Sequence, residues 1–238
     1  MLAQRYPEAY DGIAAGAPAI YFTELLSSTQ WPQQVMNMHG VPYGCEVDAL
    51  VEGSVEECDG LDGVVDGIIA DIDTCLGLFN PSKMVGLPVN CPETGGSIEI
   101  SNAAAIVVDA TLHGMQTEDG EHIWHGVPPG ADLTGELPLQ PGVVAINCTT
   151  GNCVGQPSNF GLQWLQLFVA RDPELDVMNL THGEFDALVH QGGEMYRSII
   201  GTEDPDISAF RDAGGKMVTF HGLVRTIHYN HTTEGKEH

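Results

Sequence analysis

The chain has 238 residues, and its 33 acidic side chains against 8 lysines and arginines give a formal net charge of −25. A charge of this sign excludes nucleic acids and anionic membranes as default partners, because both would be repelled. The hydrophobic fraction of 42% indicates a globular protein, and no run approaches the roughly 18 apolar residues of a membrane span.

The first predicted element is a strand. Tyr6-Pro7 ends a short stretch with helical character, and residues 11–18 (Asp-Gly-Ile-Ala-Ala-Gly-Ala-Pro) predict a buried strand of small residues that leads into a loop. A buried strand needs neighbours on both sides, and the few residues before it supply none.

Two helices are predicted next. Residues 23–37 have apolar side chains at helical spacing, with Thr23 as a plausible N-cap and Pro32 limiting the length. Residues 46–57 place their valines and Leu50 on one face.

An acidic, glycine-rich loop follows between Cys58 and Cys75. Its aspartates at positions 59, 62 and 66 are each followed closely by glycine, which lets the backbone turn sharply, so that the carboxylates can converge. Converged carboxylates repel one another by about 1 kcal/mol per pair at about 4 Å in water, and a hard cation removes this cost. The loop therefore predicts a Ca²⁺ site, closed into a ring by a Cys58–Cys75 disulfide.

The spacing in this loop partly follows an EF-hand. With Asp62 as the first position, Asp66 is the fifth and the Ile68 carbonyl is the seventh. Val64, however, can offer only its carbonyl, and Asp73 replaces the usual glutamate. The prediction is therefore a calcium loop that is not an EF-hand. A solvated turn without an ion is the alternative, and zinc is disfavoured because its nitrogen and thiolate ligands are missing.

Helices and turns alternate beyond this loop. The predicted helices cover residues 101–114, 160–171, 181–192 and 206–213, and Ser101 is the expected N-cap of the first. Residues 115–160 are turn-rich and predict loops with short strands.

The roles of two residue types, cysteine and tryptophan, are left open by the sequence. The short spacing of Cys148 and Cys153 suits a disulfide, with free thiols as the alternative. Trp31, Trp124 and Trp164 suit core packing better than an aromatic pocket.

The last predicted element is a second strand. Gly214-Gly215 turns the chain into residues 217–222 (Met-Val-Thr-Phe-His-Gly), an apolar β-branched run that is typical of a central parallel strand. This strand can lie beside the first one, with a long insertion of helices and loops between them. Residues 228–238 are polar and are expected to be disordered. The histidines His221, His228, His231 and His238 are interpreted as surface residues rather than metal ligands.

The cysteines and sequons indicate an oxidising compartment. Six cysteines in an acidic chain favour disulfides, and Asn147, Asn179 and Asn230 each begin a glycosylation sequon. Secretion is therefore expected, although the sequence begins without a signal peptide, so Met1 is not expected to be the true start of the protein.

Several of these stretches together resemble the tannase and feruloyl esterase family. The similar stretches are residues 3–7, 10–18, 58–68, 148–212, 214–217 and 221–223. The resemblance implies an α/β fold, namely a fragment of an α/β-hydrolase core with a large inserted lid domain of helices and loops. Residues 1–22 would belong to the core, residues 23–213 to the lid with its calcium loop 58–75, and residues 214–238 to a returning core strand and a disordered tail.

The resemblance also implies a set of calcium ligands. The Ca²⁺ would be held by three carboxylates and two backbone carbonyls, those of Asp59, Asp62, Asp66, Val64 and Ile68.

The family hydrolyses esters of phenolic acids such as ferulate or gallate through a Ser-His-Asp triad. This sequence departs from that pattern. The Gly-Cys-Ser-x-Gly-Gly elbow of the nucleophile would come just before Met1, and the position of the triad aspartate holds Arg225 or is deleted. The catalytic histidine would come after His238, so no catalytic residue is assigned.

The expected function is thus that of a secreted serine ester hydrolase that acts on a small phenolic ester or a plant cell-wall ester. This chain is expected to lack the catalytic residues of that enzyme and to be inactive alone. One alternative is a non-catalytic secreted calcium-binding module that binds phenolic or sugar ligands, and another is a purely structural calcium-binding domain. No feature of the sequence predicts an oligomeric state.

Overall fold

A computed structural model describes residues 1–136, 140–149 and 152–222. The predicted disordered tail, with His228, His231 and His238, lies outside the described residues, as does Arg225. Within the described parts, no helix combines the length and the apolarity needed to cross a bilayer.

Two strands from opposite ends of the sequence pair in parallel. Strand β1 spans Gly12–Gly16 and strand β10 spans Lys216–Phe220, and Gly12 pairs with Lys216 while Gly16 pairs with Phe220. The sequence predicts both strands and their position beside each other, and the structure confirms both predictions.

The prediction that these strands are buried is wrong for the described residues. All five residues of β10 are exposed, and β1 alternates between exposed and half-buried residues. The reason is that the pair forms a two-stranded sheet with no further strand beside it in the described part of the chain, so its faces meet solvent.

Helices account for most of the regular secondary structure between β1 and β10, and α1 precedes β1. Their bounds are α1 Leu2–Arg5, α2 Phe22–Ser28, α3 Trp31–His39, α4 Gly44–Cys58, α5 Ile72–Leu78, α6 Asn102–His113, α7 Asn159–Gln163, α8 His182–Ile200 and α9 Ser208–Asp212, with 3₁₀ turns at Asp59–Asp62, Pro81–Met84 and Pro92–Thr94. A π-helical segment, Trp164–Ala170, continues α7.

Short antiparallel hairpins account for the remaining strands. They are β2 Pro88–Cys91 with β3 Gly96–Glu99, β4 Met115–Gln116 with β5 His122–Trp124, β6 Gly135–Glu136 with β7 Gln140–Pro141, and β8 Ile146–Thr149 with β9 Asn152–Gly155. The prediction of loops with short strands over residues 115–160 is confirmed.

The hydrophobic core lies between the helices of this central region. Val47 and Leu50 of α4, Val107 and Val108 of α6, and Phe185 of α8 are all fully buried. The apolar faces that the sequence predicts for α4 and α6 therefore do pack inward.

The helix predicted over residues 23–37 is in fact two helices, α2 and α3. Pro32 is the cause, because it has no N–H to donate to the carbonyl of Ser28, and the helix breaks between Ser28 and Trp31. Thr23 is not the N-cap, since Tyr21 occupies that position.

Helix α8 is longer than its prediction. It continues through Gly192 to Ile200, and a Cβ atom at Gly192 would lie 3.1 Å from Cζ2 of Trp164. This glycine therefore serves close packing against the π-helical segment and does not end the helix.

Three disulfides cross-link the described chain. Cys58 joins Cys75 and Cys148 joins Cys153, as the spacings predict. The remaining pair, Cys45 with Cys91, connects α4 to β2.

Candidate functional site

A cleft opens where β1 and β10 end. Its volume is about 500 Å³, and it is lined by residues that follow β1, by the end of β10 and by the hairpin β4–β5, including Ala17, Pro18, Trp124, Phe220 and His221. The carboxyl ends of parallel strands are where ligands bind in open α/β sheets. We call this space the strand-end chamber.

A second space of about 520 Å³ adjoins the first, and we call it the distal chamber. The two chambers share Ile20, Trp124 and His125. The distal chamber is further lined by Tyr21, Glu24, His122, Ile123, Arg197 and Glu203. Both volumes lie in the range of roughly 300–1,000 Å³ that is usual for small-molecule sites.

The backbone that enters this cleft is strained. Ala17 has φ 45° and Tyr21 has φ 49°, so two non-glycine residues on the lining adopt the left-handed conformation. Such conformations cost about 1–3 kcal/mol each and concentrate at binding and active sites. Contacts with the surrounding structure must therefore hold residues 17–21 in this path along the lining of the cleft.

The hairpin β4–β5 holds Trp124 in place through close backbone contacts. Met115 is fully buried and pairs with Trp124. Gly114 has φ 90°, and a Cβ atom there would lie 2.1 Å from the carbonyl oxygen of Trp124. Only glycine permits this approach, which presses the hairpin against the end of α6.

Arg197 of α8 connects three segments at the floor of the distal chamber. Its Nη2 donates to Glu24 of α2, and its Nε donates to Glu203 at 3.1 Å. The hydrogen bond to Glu24 raises the pKa of Arg197, so the guanidinium stays charged. Glu24 is buried, and this ion pair supplies the partner that a buried carboxylate needs.

The wall of the distal chamber carries exposed polar groups that have solvent, and no described residue, as their hydrogen-bond partner. No described residue forms a hydrogen bond with the imidazole of His122, the imidazole of His125 or the hydroxyl of Tyr21. The aromatic rings of this wall are nevertheless in contact in two pairs. The ring centroids of His122 and His125 are 5.2 Å apart, and those of Tyr21 and Trp124 are 5.6 Å apart.

The predicted calcium loop lies apart from the lining of both chambers and is organised around Asp59. The Oδ1 atom of Asp59 accepts hydrogen bonds from the backbone N–H groups of Asp66, Gly67 and Ile68 at 3.1, 2.9 and 3.2 Å. Asp59 is buried at 9% exposure, whereas Asp62 and Asp66 are exposed.

Asp62 and Asp66 each accept one backbone hydrogen bond through Oδ1, from Val64 and from Ile68. The Oδ2 atoms of all three aspartates accept no hydrogen bond from a described residue, and neither do the carbonyls of Val64 and Ile68. The oxygens that a calcium ion would need are therefore uncommitted, and their chemistry fits a hard cation.

The three aspartates are not gathered at one point. Their carboxylate oxygens are not among the sets of three possible metal ligands that lie within 4.8 Å of one another in the described part of the chain. The set that does is formed by Cys45, Cys91 and Glu93, and its two cysteines are joined in a disulfide. Occupancy by Ca²⁺ would therefore require Asp62 and Asp66 to move toward Asp59.

Sequence reasoning missed the cleft, because it favoured core packing for Trp124 and a surface position for His221. Trp31 and Trp164 are buried in the core, whereas Trp124 and His221 line the strand-end chamber. His122, His125 and Arg197 were not predicted to share a site. The only local signal is the segment 122–125, His-Ile-Trp-His, which gathers two histidines and a tryptophan inside a turn-rich region.

Comparison with known proteins gives consistent matches over almost the whole chain. Residues 1–226 match the family model described as tannase and feruloyl esterase. A probable feruloyl esterase of Arthroderma benhamiae is 35% identical over 225 residues, which cover 93% of this chain and 40% of that protein.

Solved structures of the same group are also similar. The tannin acyl hydrolase from Aspergillus niger has a TM-score of 0.80 at 25% identity, covering 94% of this chain and 40% of that one. Feruloyl esterase B from Aspergillus oryzae has a TM-score of 0.66 at 22% identity, covering 93% and 41%. The predicted fold class, part of an α/β-hydrolase with a large insertion of helices and loops, is confirmed, and this chain spans about two fifths of the length of these relatives.

Proposed function

The chain belongs to the tannase and feruloyl esterase family of ester hydrolases, and on this basis we propose that it forms the substrate-holding part of a secreted esterase that acts on esters of phenolic acids. The observation that carries the proposal is the family match over residues 1–226 together with a cleft at the strand ends whose two chambers share an aromatic wall at Trp124. Relatives named for feruloyl and tannin esters support the choice of a hydroxylated aromatic acid as the acyl group.

The reaction proposed for this family member is acyl transfer to a serine followed by hydrolysis, with a histidine as proton carrier and an aspartate that orients it. The described residues of this chain contribute the strand ends, the mouth residues 17–21 and the aromatic wall, which bind the acyl ring and exclude water from it. We further propose that this chain does not supply the catalytic serine and its histidine, so that the chain alone binds such esters and does not turn them over.

The test uses the purified chain with methyl ferulate and methyl gallate. Binding should be measurable by isothermal titration calorimetry, while release of the free acid, followed by chromatography, should equal that of a buffer blank. Turnover at the rate of a complete esterase would overturn the proposal that the catalytic residues lie outside this chain. Failure of both esters to bind would overturn the assignment of the cleft as their site.

A structural calcium site in the loop between Cys58 and Cys75 is part of the same proposal. The carboxylates of Asp59, Asp62 and Asp66 and the carbonyls of Val64 and Ile68 would hold the ion. Support comes from the uncommitted oxygens in the loop and from the disulfide that fixes its ends. The ion would neutralise the repulsion between the carboxylates and take no part in the reaction.

We also propose that the protein is secreted, and the disulfides and the glycosylation sequons support this proposal. The three disulfides within the described residues favour an oxidising compartment, and the sequon residues Asn147 and Asn179 are both exposed. The alternative of a non-catalytic secreted module that binds phenolic or sugar ligands is favoured by one observation, the free polar groups on the wall of the distal chamber. A binding constant without turnover, in a chain expressed with all of its flanking sequence, would select this alternative.

A further inference from the structure

The distal chamber has two chemically different walls. One wall is aromatic, formed by Tyr21 and Trp124, whose ring centroids lie 5.6 Å apart. The other carries the imidazoles of His122 and His125, which have no hydrogen-bond partner among the described residues. A ligand that fits both walls has a flat ring and hydrogen-bonding groups on its rim.

The charges in the chamber favour an uncharged ligand. Arg197 is the cation on its lining, and both of its neighbours there, Glu24 and Glu203, are carboxylates that accept its hydrogen bonds. The carboxylates and the guanidinium of the lining therefore sum to one negative charge, and the chain as a whole carries −25. A free carboxylate would be repelled, whereas a neutral ester would not.

The position of the two chambers orients such a ligand. The strand-end chamber lies at the carboxyl ends of β1 and β10, where chemistry takes place in α/β sheets. The distal chamber adjoins it at the shared residues Trp124 and His125. A ligand whose reactive bond lies at the strand ends can therefore extend its ring into the chamber that His122 lines.

We infer that the distal chamber is the specificity pocket of the site, in which the ring of an uncharged phenolic ester lies against Trp124 while His122 and His125 hydrogen-bond its ring hydroxyls. This inference rests on the proposed function, because it takes the phenolic ester from there. A neutral imidazole offers one donor and one acceptor, so a phenolic hydroxyl can donate to one ring and accept from the other. Arg197 acts as a positioning residue that fixes the floor through Glu24 and Glu203.

The experiment compares the binding of two uncharged esters to the purified full chain by isothermal titration calorimetry. Methyl ferulate carries a ring hydroxyl and methyl cinnamate carries none. We expect methyl ferulate to bind the unmodified chain roughly threefold to tenfold more tightly, which is the effect of one or two net hydrogen bonds. The double variant His122→Ala/His125→Ala should lose this preference while methyl cinnamate binds as before.

Three further measurements act as controls. His190→Ala changes an exposed histidine on α8 outside both chambers and should keep the preference. Trp124→Leu should weaken both esters together, since it removes the stacking face. Free ferulate should bind more weakly than methyl ferulate, because its carboxylate is repelled.

The outcomes separate this inference from the proposed function. If the chain binds both esters equally, or if the double histidine variant keeps the preference for methyl ferulate, the recognition role of His122 and His125 is refuted while the assignment of the cleft to phenolic esters stands. If neither ester binds, the specificity pocket and the ester site fail together. Circular dichroism of each variant shows that a loss of binding is not a loss of fold.

Discussion

At the scale of single residues, the largest local effect in the glycine-rich loop belongs to Asp59. Its Oδ1 atom accepts three backbone hydrogen bonds, and the residue is buried. Hydrogen bonds to a charged group contribute about 1.5–3 kcal/mol each, with partial compensation by water when they are lost. Asp59 therefore determines the path of residues 66–68 before any ion is considered.

Replacement of this residue should be costly. We expect Asp59→Ala to lower the free energy of unfolding by about 2–4 kcal/mol, measured by urea denaturation in the presence of a chelator so that metal binding does not contribute. Asp119→Ala, at an exposed turn without a side-chain hydrogen bond, is the control and should change stability by less than about 0.5 kcal/mol. Equal effects of the two variants would contradict the role of Asp59.

A second prediction at this scale concerns Asp48 of α4. Partial desolvation raises the pKa of its carboxyl although the residue as a whole is exposed, the charges of Asp132, Glu52 and Glu93 raise it further, and a 2.7 Å hydrogen bond from Thr134 opposes them. An acid with a raised pKa holds its proton longer in the folded state. Its contribution to stability is therefore lost as the pH rises from its ordinary pKa through the raised value.

Asp48→Asn removes this titration and keeps the oxygen that accepts from Thr134. We expect the variant to gain melting temperature over the unmodified chain at about pH 7 and to show no gain at about pH 3, where the carboxyl is protonated. The melting curves of both proteins across this range give the comparison. A gain that is the same at both pH values would refute the assignment.

At the scale of elements, two glycines with opposite surroundings test how the hairpin β4–β5 is held. A Cβ atom at Gly126 would lie 2.0 Å from the carbonyl oxygen of Leu112, while a Cβ atom at Gly77 of α5 would meet no atom within 4 Å. Gly126→Ala must push the hairpin away from α6. Gly77→Ala gains helix propensity at an exposed site.

We expect Gly126→Ala to destabilise the fold by about 2–3 kcal/mol and Gly77→Ala to stabilise it by roughly 0.5–1 kcal/mol. Thermal denaturation of both variants measures this difference in sign. A stable Gly126→Ala protein would mean that the hairpin can shift without cost, and Trp124 would then lack a fixed position.

The elements also show what local sequence can predict. The predicted N-cap of α6 is confirmed, because the backbone N–H of Ala104 donates a hydrogen bond to Oγ of Ser101. This interaction lies within four residues and can therefore be read from local sequence. The break between α2 and α3 was missed because the pattern of apolar residues runs on through Pro32. The end of α8 was placed too early because the packing of Gly192 against Trp164 is a contact between distant segments.

The same limit applies to the candidate site. The acidic loop could be recognised as a candidate because its aspartates and glycines lie close together in the sequence, and calcium binding there stays a prediction. The cleft could not be predicted, because Glu24, His125 and Arg197 come from α2, from the end of a hairpin and from α8. Only tertiary packing brings them together. The division of the chain at residues 22/23 and 213/214 also stays a prediction.

At the scale of the whole molecule, the net charge of −25 means that any salt stabilises the fold by screening the repulsion between carboxylates. A rise in melting temperature with calcium therefore has to be compared with the rise that screening alone produces. Sodium chloride should raise the melting temperature by screening the repulsion between carboxylates. Calcium should raise it further at matched ionic strength, because an ion that binds only the folded state stabilises it by RT ln(1 + [Ca²⁺]/Kd).

The test is a set of melting curves with calcium chloride, with sodium chloride of equal ionic strength and with a chelator. We expect the calcium curve to lie above the sodium curve, and the difference to vanish in Asp62→Ala/Asp66→Ala. The matched control, Asp119→Ala/Asp172→Ala, removes two exposed aspartates elsewhere and should keep the difference. Identical curves in the two salts would refute the calcium site.

The parallel pairing of β1 with β10 has a consequence for how the chain reaches its native state. Residues 12 and 216 are 204 positions apart in the sequence, so this contact carries a large loop-closure entropy and is expected to form late in folding. The disulfides all lie inside that interval. Oxidation can therefore be completed in a nascent intermediate whose terminal strands are still apart, and amide exchange in β10 should outpace exchange in α6.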